Sequence, residues 1–128
     1  KILELLKELN KKMNCSIIIV SHDIGVVKEI ADRVAIMYCG QIVEESSLEE
    51  IFNHPLHPYN KDLMNCIPTI SMDKTLVPIK GSVPNPKDYS NLCRFYDRCE
   101  ESIEKCKYKN PDMIKEGESY VRCIKYEK

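Results

Sequence analysis

Hydrophobic and polar positions alternate along the first part of the chain with clear periods. Ile2, Leu5, Leu6 and Leu9 recur at helical spacing against Lys1, Glu4, Lys7 and Glu8, which predicts a helix over residues 1 to about 14. No capping residue precedes Lys1, so the chain is expected to open inside an element, as a fragment would. Cys15-Ser16-Ile17-Ile18-Ile19-Val20 is a short, continuous, β-branched run, the composition of a strand covered on both faces in a parallel sheet. Helix followed by such a strand is half of a βαβ unit.

Ser21-His22-Asp23 ends that run, and a second helix is predicted from Ile24 to Ala31. Arg33 to Tyr38 reads as a strand, Cys39-Gly40 as a turn, and Gln41 to Glu45 as the returning partner of a hairpin. Ser47-Leu48-Glu49-Glu50 fits a capping box, in which Ser47 takes the amide three residues on and Glu50 reaches back. It opens a short helix through Phe52. Beyond the His54-Pro55-Leu56-His57-Pro58 loop, a further helix is predicted from Tyr59 to Ile67, with Pro58 in its first turn. From Pro68 the periodicity fades. Pro68, Pro78, Pro84 and Pro86 with Gly81 read as an extended linker, and the boundary is set between about 68 and 90. The tail after Asn91 is charged, cysteine-rich and too poor in apolar residues for a core of its own.

Composition narrows the function classes. The 128 residues allow one domain, or a partial domain with an appendage. Lys and Arg number 19 against 20 Asp and Glu, so there is no basic excess of the kind a nucleic-acid binder carries, and no nucleic-acid partner is expected. No apolar run approaches the roughly 18 residues that span a bilayer, and the opening residues do not have the form of a signal peptide. The seven cysteines divide into two groups. Cys15, Cys39 and Cys66 sit among apolar neighbours and read as packed strand or helix positions. Cys93, Cys99, Cys106 and Cys123 cluster in the last third.

In an open α/β sheet, ligands bind outside the carboxyl ends of the strands, so Ser21-His22-Asp23 lies where a phosphate-sensing group would stand. An isolated triplet of this kind more often only caps the next helix. The surrounding sequence changes that balance. SIIIVSHDIGVVKEIADRVAIMYCGQIVEE, residues 16–45, resembles the histidine-switch region of ABC-transporter ATPases over its whole length. IFNHPLHPY, residues 51–59, together with the late cysteines, resembles the ATPase subunits of oligopeptide, dipeptide and nickel importers. The resemblance implies the end of a P-loop ABC nucleotide-binding domain over residues 1–67, with parallel strand, helix and hairpin, and a linker with a small cysteine-rich extension over 68–128. It implies that His22 is the switch histidine that contacts the γ-phosphate, and that Asp23 shares its loop. It also implies a second ATPase subunit and membrane permeases as partners, on the cytoplasmic face of the cell membrane. Ser46 departs from the family, which commonly has glycine there, so the turn before Ser47 is expected to differ in backbone angle.

The sequence contains no Gly-x-x-x-x-Gly-Lys-Ser/Thr loop, no signature motif, and no Mg²⁺-holding aspartate with its catalytic glutamate. Phosphoryl transfer depends on positioning and charge stabilisation that one histidine does not supply. The chain alone is therefore expected to be inactive, with ATP and Mg²⁺ belonging to a longer parent.

The late cysteines are spaced Cys93-x5-Cys99-x6-Cys106-x16-Cys123, without the Cys-x2-Cys knuckles of most zinc sites or the compact ferredoxin spacing. Four thiols on a weakly apolar tail favour a metal over disulfides, with zinc, iron–sulfur, disulfides and free thiols all open. Arg94, Arg98 and Arg122 adjoin these cysteines and are expected to favour their thiolates. The similar tails of peptide-importer ATPases imply a [4Fe–4S] cluster on Cys93, Cys99, Cys106 and Cys123. His54 and His57 are read as packing and hydrogen-bonding residues of a proline-fixed loop. Two functions follow: part of an ATPase subunit coupling ATP hydrolysis to import of peptides or nickel, or a stand-alone metal- or iron–sulfur-binding regulatory module. An unpaired strand edge would also let the chain form a homodimer.

Overall fold

The computed structural model describes residues 1–68 and 75–128; the linker residues 69–74 lie outside the described part. Helix α1 (Ile2–Met13) ends on Asn14, whose φ of 48° and ψ of 44° form a left-handed stop. Helix α2 (Ile24–Ile30) lies against it, with Lys7 and Glu29 3.8 Å apart. Strands β1 (Arg33–Tyr38) and β2 (Gln41–Ser47) form the predicted antiparallel hairpin. Its turn places Cys39 at φ 48° and Gly40 at φ 75°, and a glycine at the second position removes half the cost of that left-handed pair.

The run Cys15–Val20 is not a strand. Strand backbone needs a ladder partner, and none of the described residues pairs with it in a ladder; Ile18 and Val20 are 93% and 92% exposed. The expected parallel strand is therefore corrected, and the sheet is antiparallel throughout.

Helix α3 (Leu48–Asn53) starts on Ser47, whose Oγ accepts from the Glu50 amide at 3.3 Å. Only half of the capping box forms, because the Glu50 carboxylate lies 3.3 Å from the His54 ring instead of turning back to Ser47. Helix α4 (Pro58–Asn65) follows.

The tail then returns to the hairpin. β3 (Ile114–Glu116) and β4 (Ser119–Val121), joined through Gly117 at φ 60°, extend the sheet in the order β1-β2-β4-β3. β4 pairs with β2 through Glu44↔Val121 and Glu45↔Tyr120, and the Arg122 amide donates to the Val43 carbonyl at 2.8 Å. A register shift after Ile36 leaves Val43 unopposed, so consecutive residues Val43 and Glu44 both face inward. Ser46 is a buried ladder residue opposite Val34, and it has no left-handed angle. Its hydroxyl receives the Ser119 hydroxyl at 2.9 Å and donates to the Glu118 carbonyl at 3.4 Å, stitching the tail hairpin to β2.

Tyr38, Val43 and Phe95 form the core, so one tail aromatic fills the inner side of the hairpin. Phe95 is 1% exposed and meets Tyr38 edge-on with ring centroids 5.2 Å apart. Burial of such a ring contributes about 1.5–3 kcal/mol.

Candidate functional site

Two groups of sequence-selected residues stand in separate places. The first is the switch segment. Ser21, His22 and Asp23 are all exposed, at the end of the extended 15–20 run and the start of α2. Asp23 is the N-cap of that helix: its Oδ1 accepts from the Gly25 amide at 2.8 Å and the Val26 amide at 3.3 Å. Ser21 Oγ accepts from the Asp23 amide at 3.0 Å. Among the described residues the His22 ring has no hydrogen-bond partner, so both of its nitrogens are open to an incoming group.

The second is a small cavity of about 20 Å³, roughly the room one water needs. Cys93, Cys99, Cys106 and Cys123 all line it, together with His57 and Phe95. Short turns of the tail set the thiols in place. The Cys93 amide donates to the Cys106 carbonyl at 3.0 Å, and the Cys99 amide to the Tyr96 carbonyl at 3.2 Å. Cys123 enters from the end of β4. Burial raises the Cys93 and Cys123 thiols above the ordinary range and pushes Cys99 up to about 11, so without an electrophilic occupant these groups are held as neutral thiols. Among the described residues, no three cysteine, histidine or acidic side chains are grouped closely enough to hold a single metal ion.

The arginines do not serve the thiols. Arg94 donates to the Cys39 carbonyl and stacks 4.3 Å above the Tyr89 ring. Arg98 donates to the carbonyls of Lys80 at 2.9 Å and Ile79 at 3.3 Å, and to the Tyr38 hydroxyl at 3.4 Å. Arg122 donates to the carbonyls of Ile42 and Pro111, both at 2.9 Å. Backbone carbonyls outcompete a neutral thiol for a guanidinium, so each arginine next to a cysteine points away from the cavity and ties the tail down. Lys125 is the cation that lines the cavity, and its side chain is paired with Glu101.

His57 was visible in sequence as a packing residue, and its place in the cavity wall was not. It is 2% exposed; Nδ1 accepts from the Tyr59 amide at 3.0 Å, and burial lowers its pKa to about 4. The loop carrying it hangs from Glu44, a fully buried carboxylate that accepts from the Leu56 amide at 3.0 Å and the His57 amide at 2.7 Å. Glu44 went unnoticed because a glutamate near a strand end normally faces water. His54 is exposed beside Glu50. Cys15, Cys39 and Cys66 occupy a loop, the hairpin turn and a helix cap, and none of them lines the cavity.

Comparison with known proteins covers nearly the whole chain. A family model described as "Oligopeptide/dipeptide transporter, C-terminal region" matches residues 43–106, half of the chain. The oligopeptide transport ATP-binding protein AppD of Bacillus subtilis (strain 168) is 47% identical over 131 residues, covering 99% of this chain and 39% of its own length. The dipeptide transport ATP-binding protein DppD of Caldanaerobacter subterraneus subsp. tengcongensis is 44% identical, covering 98% and 39%. DppD of Haemophilus influenzae is 38% identical, covering 96% and 38%. The chain thus spans under two-fifths of the length of these curated relatives.

Proposed function

Since this chain belongs to the oligopeptide/dipeptide transporter family, as its C-terminal region, we propose that it is part of an ATP-binding subunit that powers peptide import. In this reading ATP and Mg²⁺ are held by other parts of a longer subunit, for the 128 residues contain no phosphate loop. His22 is the switch histidine, donating to a γ-phosphate oxygen or orienting the attacking water. The observation that carries this is the exposed, unengaged His22 ring beside two neighbours whose side chains are spent on backbone. The partners are a second ATPase subunit and membrane permeases, on the cytoplasmic face of the membrane. Among the described residues no helix is long and apolar enough to cross a membrane. The stand-alone module has no comparable support, because similarity extends through residues 1–42, which a free thiol module does not need.

The reading includes residues 1–67 as the end of the nucleotide-binding domain and 68–128 as an extension. Within the extension, Cys93, Cys99, Cys106 and Cys123 line one cavity, and four soft donors are the chemistry of a thiolate-bound metal. To hold one they would have to rearrange, since no three are grouped closely enough among the described residues and the cavity has room for about one water. In this reading the group is a [4Fe–4S] cluster, as the similar tails of peptide-importer ATPases imply, and the cysteine spacing lacks the Cys-x2-Cys knuckles of most structural zinc sites. Such a group would cross-link four segments of the extension; the chain's own part is to present the thiols and to shield them with Phe95 and His57.

Two measurements test the reading. ATP turnover by the complete subunit should fall about 100-fold or more in His22→Ala, while the isolated 128-residue chain should show none. Turnover by the isolated chain, or an unaffected His22→Ala subunit, refutes the functional assignment. Anaerobically purified protein should carry iron and sulfide in stoichiometric amounts that are lost in Cys99→Ser; zinc alone would overturn the cluster.

A further inference from the structure

The triplet Ser21-His22-Asp23 divides its work unequally. Asp23 has an extended backbone (φ −92°, ψ 106°) and turns its carboxylate forward onto the first amides of α2. Its Oδ1 takes two donors there, Gly25 at 2.8 Å and Val26 at 3.3 Å. Behind it, Ser21 Oγ takes the Asp23 amide at 3.0 Å, closing a turn around His22. The backbone of His22 is therefore fixed from both sides while its ring stays free.

A separate feature points the same way. A Cβ placed on Gly25 would lie 3.1 Å from Asp23 Oδ1, closer than ordinary van der Waals contact, so glycine at position 25 lets the carboxylate take this place without shifting. There is also an electrostatic reason for the arrangement. A free carboxylate one residue from a group that meets a γ-phosphate would repel the nucleotide. A carboxylate turned onto helix amides is held away from the phosphate and stabilised by the positive end of the helix.

We propose that Asp23 is a positioning residue for His22, with Ser21 and Gly25 as its supports: it holds the imidazole toward the nucleotide by capping α2, and takes no part in proton transfer or Mg²⁺ binding. This rests on the reading of His22 as the phosphate-facing histidine.

The test is steady-state ATP turnover by the complete ATPase subunit in its transporter. Asp23→Asn and Asp23→Ser keep a capping oxygen without the charge and should stay within about 3-fold of the parent. Asp23→Ala should lower kcat about 10-fold with KM for ATP little changed, and Gly25→Ala should lower it by less, since the carboxylate need only shift slightly to make room. Combined with His22→Ala, Asp23→Ala should cost nothing further, since both act through one ring. The proposal is overturned if Asp23→Asn is as slow as Asp23→Ala, or if the double variant loses the full product of the two factors. Parent-like turnover in His22→Ala sinks the phosphate-sensing reading and this inference with it. Loss in His22→Ala together with parent-like turnover in Asp23→Ala sinks this inference alone. A check on the cap itself is amide exchange at Gly25 and Val26 in the present chain, which should quicken in Asp23→Ala and stay slow in His22→Ala.

Discussion

Replacing Glu44 should dislodge the loop that carries His57. Both carboxylate oxygens are engaged, one by the Leu56 amide at 3.0 Å and the other by the His57 amide at 2.7 Å, with no exposure to water. Glu44→Ala leaves two buried donors without partners. Each orphaned amide costs about 1–3 kcal/mol, so the variant should lose about 2–6 kcal/mol, a large share of the stability of a small domain. Glu44→Gln keeps the shape and one acceptor oxygen but turns its amino group toward the second amide, so the loss should be about half as large, about 1–3 kcal/mol. Burial, the largest influence, raises the Glu44 pKa above its ordinary value of 4.5, so its protonated form is favoured in the folded state. The titration-linked part of its stability is therefore present below pH 4.5 and lost as pH rises through the folded-state value, a slope that Glu44→Gln should lack. Urea unfolding followed by circular dichroism measures the losses, and amide exchange at Leu56 and His57 locates them. A Glu44→Ala variant within about 1 kcal/mol of wild type, or undiminished protection of those two amides, would refute the reasoning.

His57 works in the opposite sense. Held neutral with a pKa lowered from 6.5 to about 4, it contributes stability that is present above pH 6.5 and lost as pH falls toward 4. That gap is worth about 3 kcal/mol, and the corresponding pH slope in urea midpoints should be missing from His57→Gln. Arg98→Ala should free the 79–81 strap, since it removes donors to the Ile79 and Lys80 carbonyls; trypsin should then cut after Lys80 several-fold faster, and Arg98→Lys should not restore resistance.

The legible parts of this chain are those governed by neighbours in sequence. The helices, the Cys39-Gly40 hairpin turn and the Ser47 cap follow from local periodicity and capping chemistry, and each lies within a residue or two of its expected place. The exception shows the limit of such reading. Ile17-Ile18-Ile19-Val20 has strand composition, but a strand exists only against a partner, and among the described residues it has none. The tail's hairpin was overlooked for a related reason. Its three-residue strands are too short for a periodic pattern, although Gly117 between Ile114-Lys115-Glu116 and Ser119-Tyr120-Val121 was a usable clue. The four late cysteines stand out by their clustering and by the resemblance of the tail to those of peptide-importer ATPases, and they line one cavity. The adjoining arginines were misread because adjacency in sequence does not give direction. At Arg122–Cys123 the backbone is extended and neighbouring side chains point to opposite sides, while Arg94 lies in a turn and Arg98 ends a 3-10 helix, each drawn to the carbonyls it meets.

The pairing of β2 with β4 also bears on how the chain reaches its fold. Ser46 and Ser119, which touch in the finished sheet, are 73 residues apart in sequence. On the ribosome β2 emerges first and its outer edge stays open while the linker and most of the tail are still being made, an interval of several seconds at about 5–20 residues per second. During that time the Val43–Ser47 edge is a template for any passing strand. Closing a loop of that length is slow compared with hairpin formation, so docking of the tail should be the late step in folding. The buried Glu44 gives that waiting edge a charge while it is still wet, before the loop amides and β4 arrive to cover it.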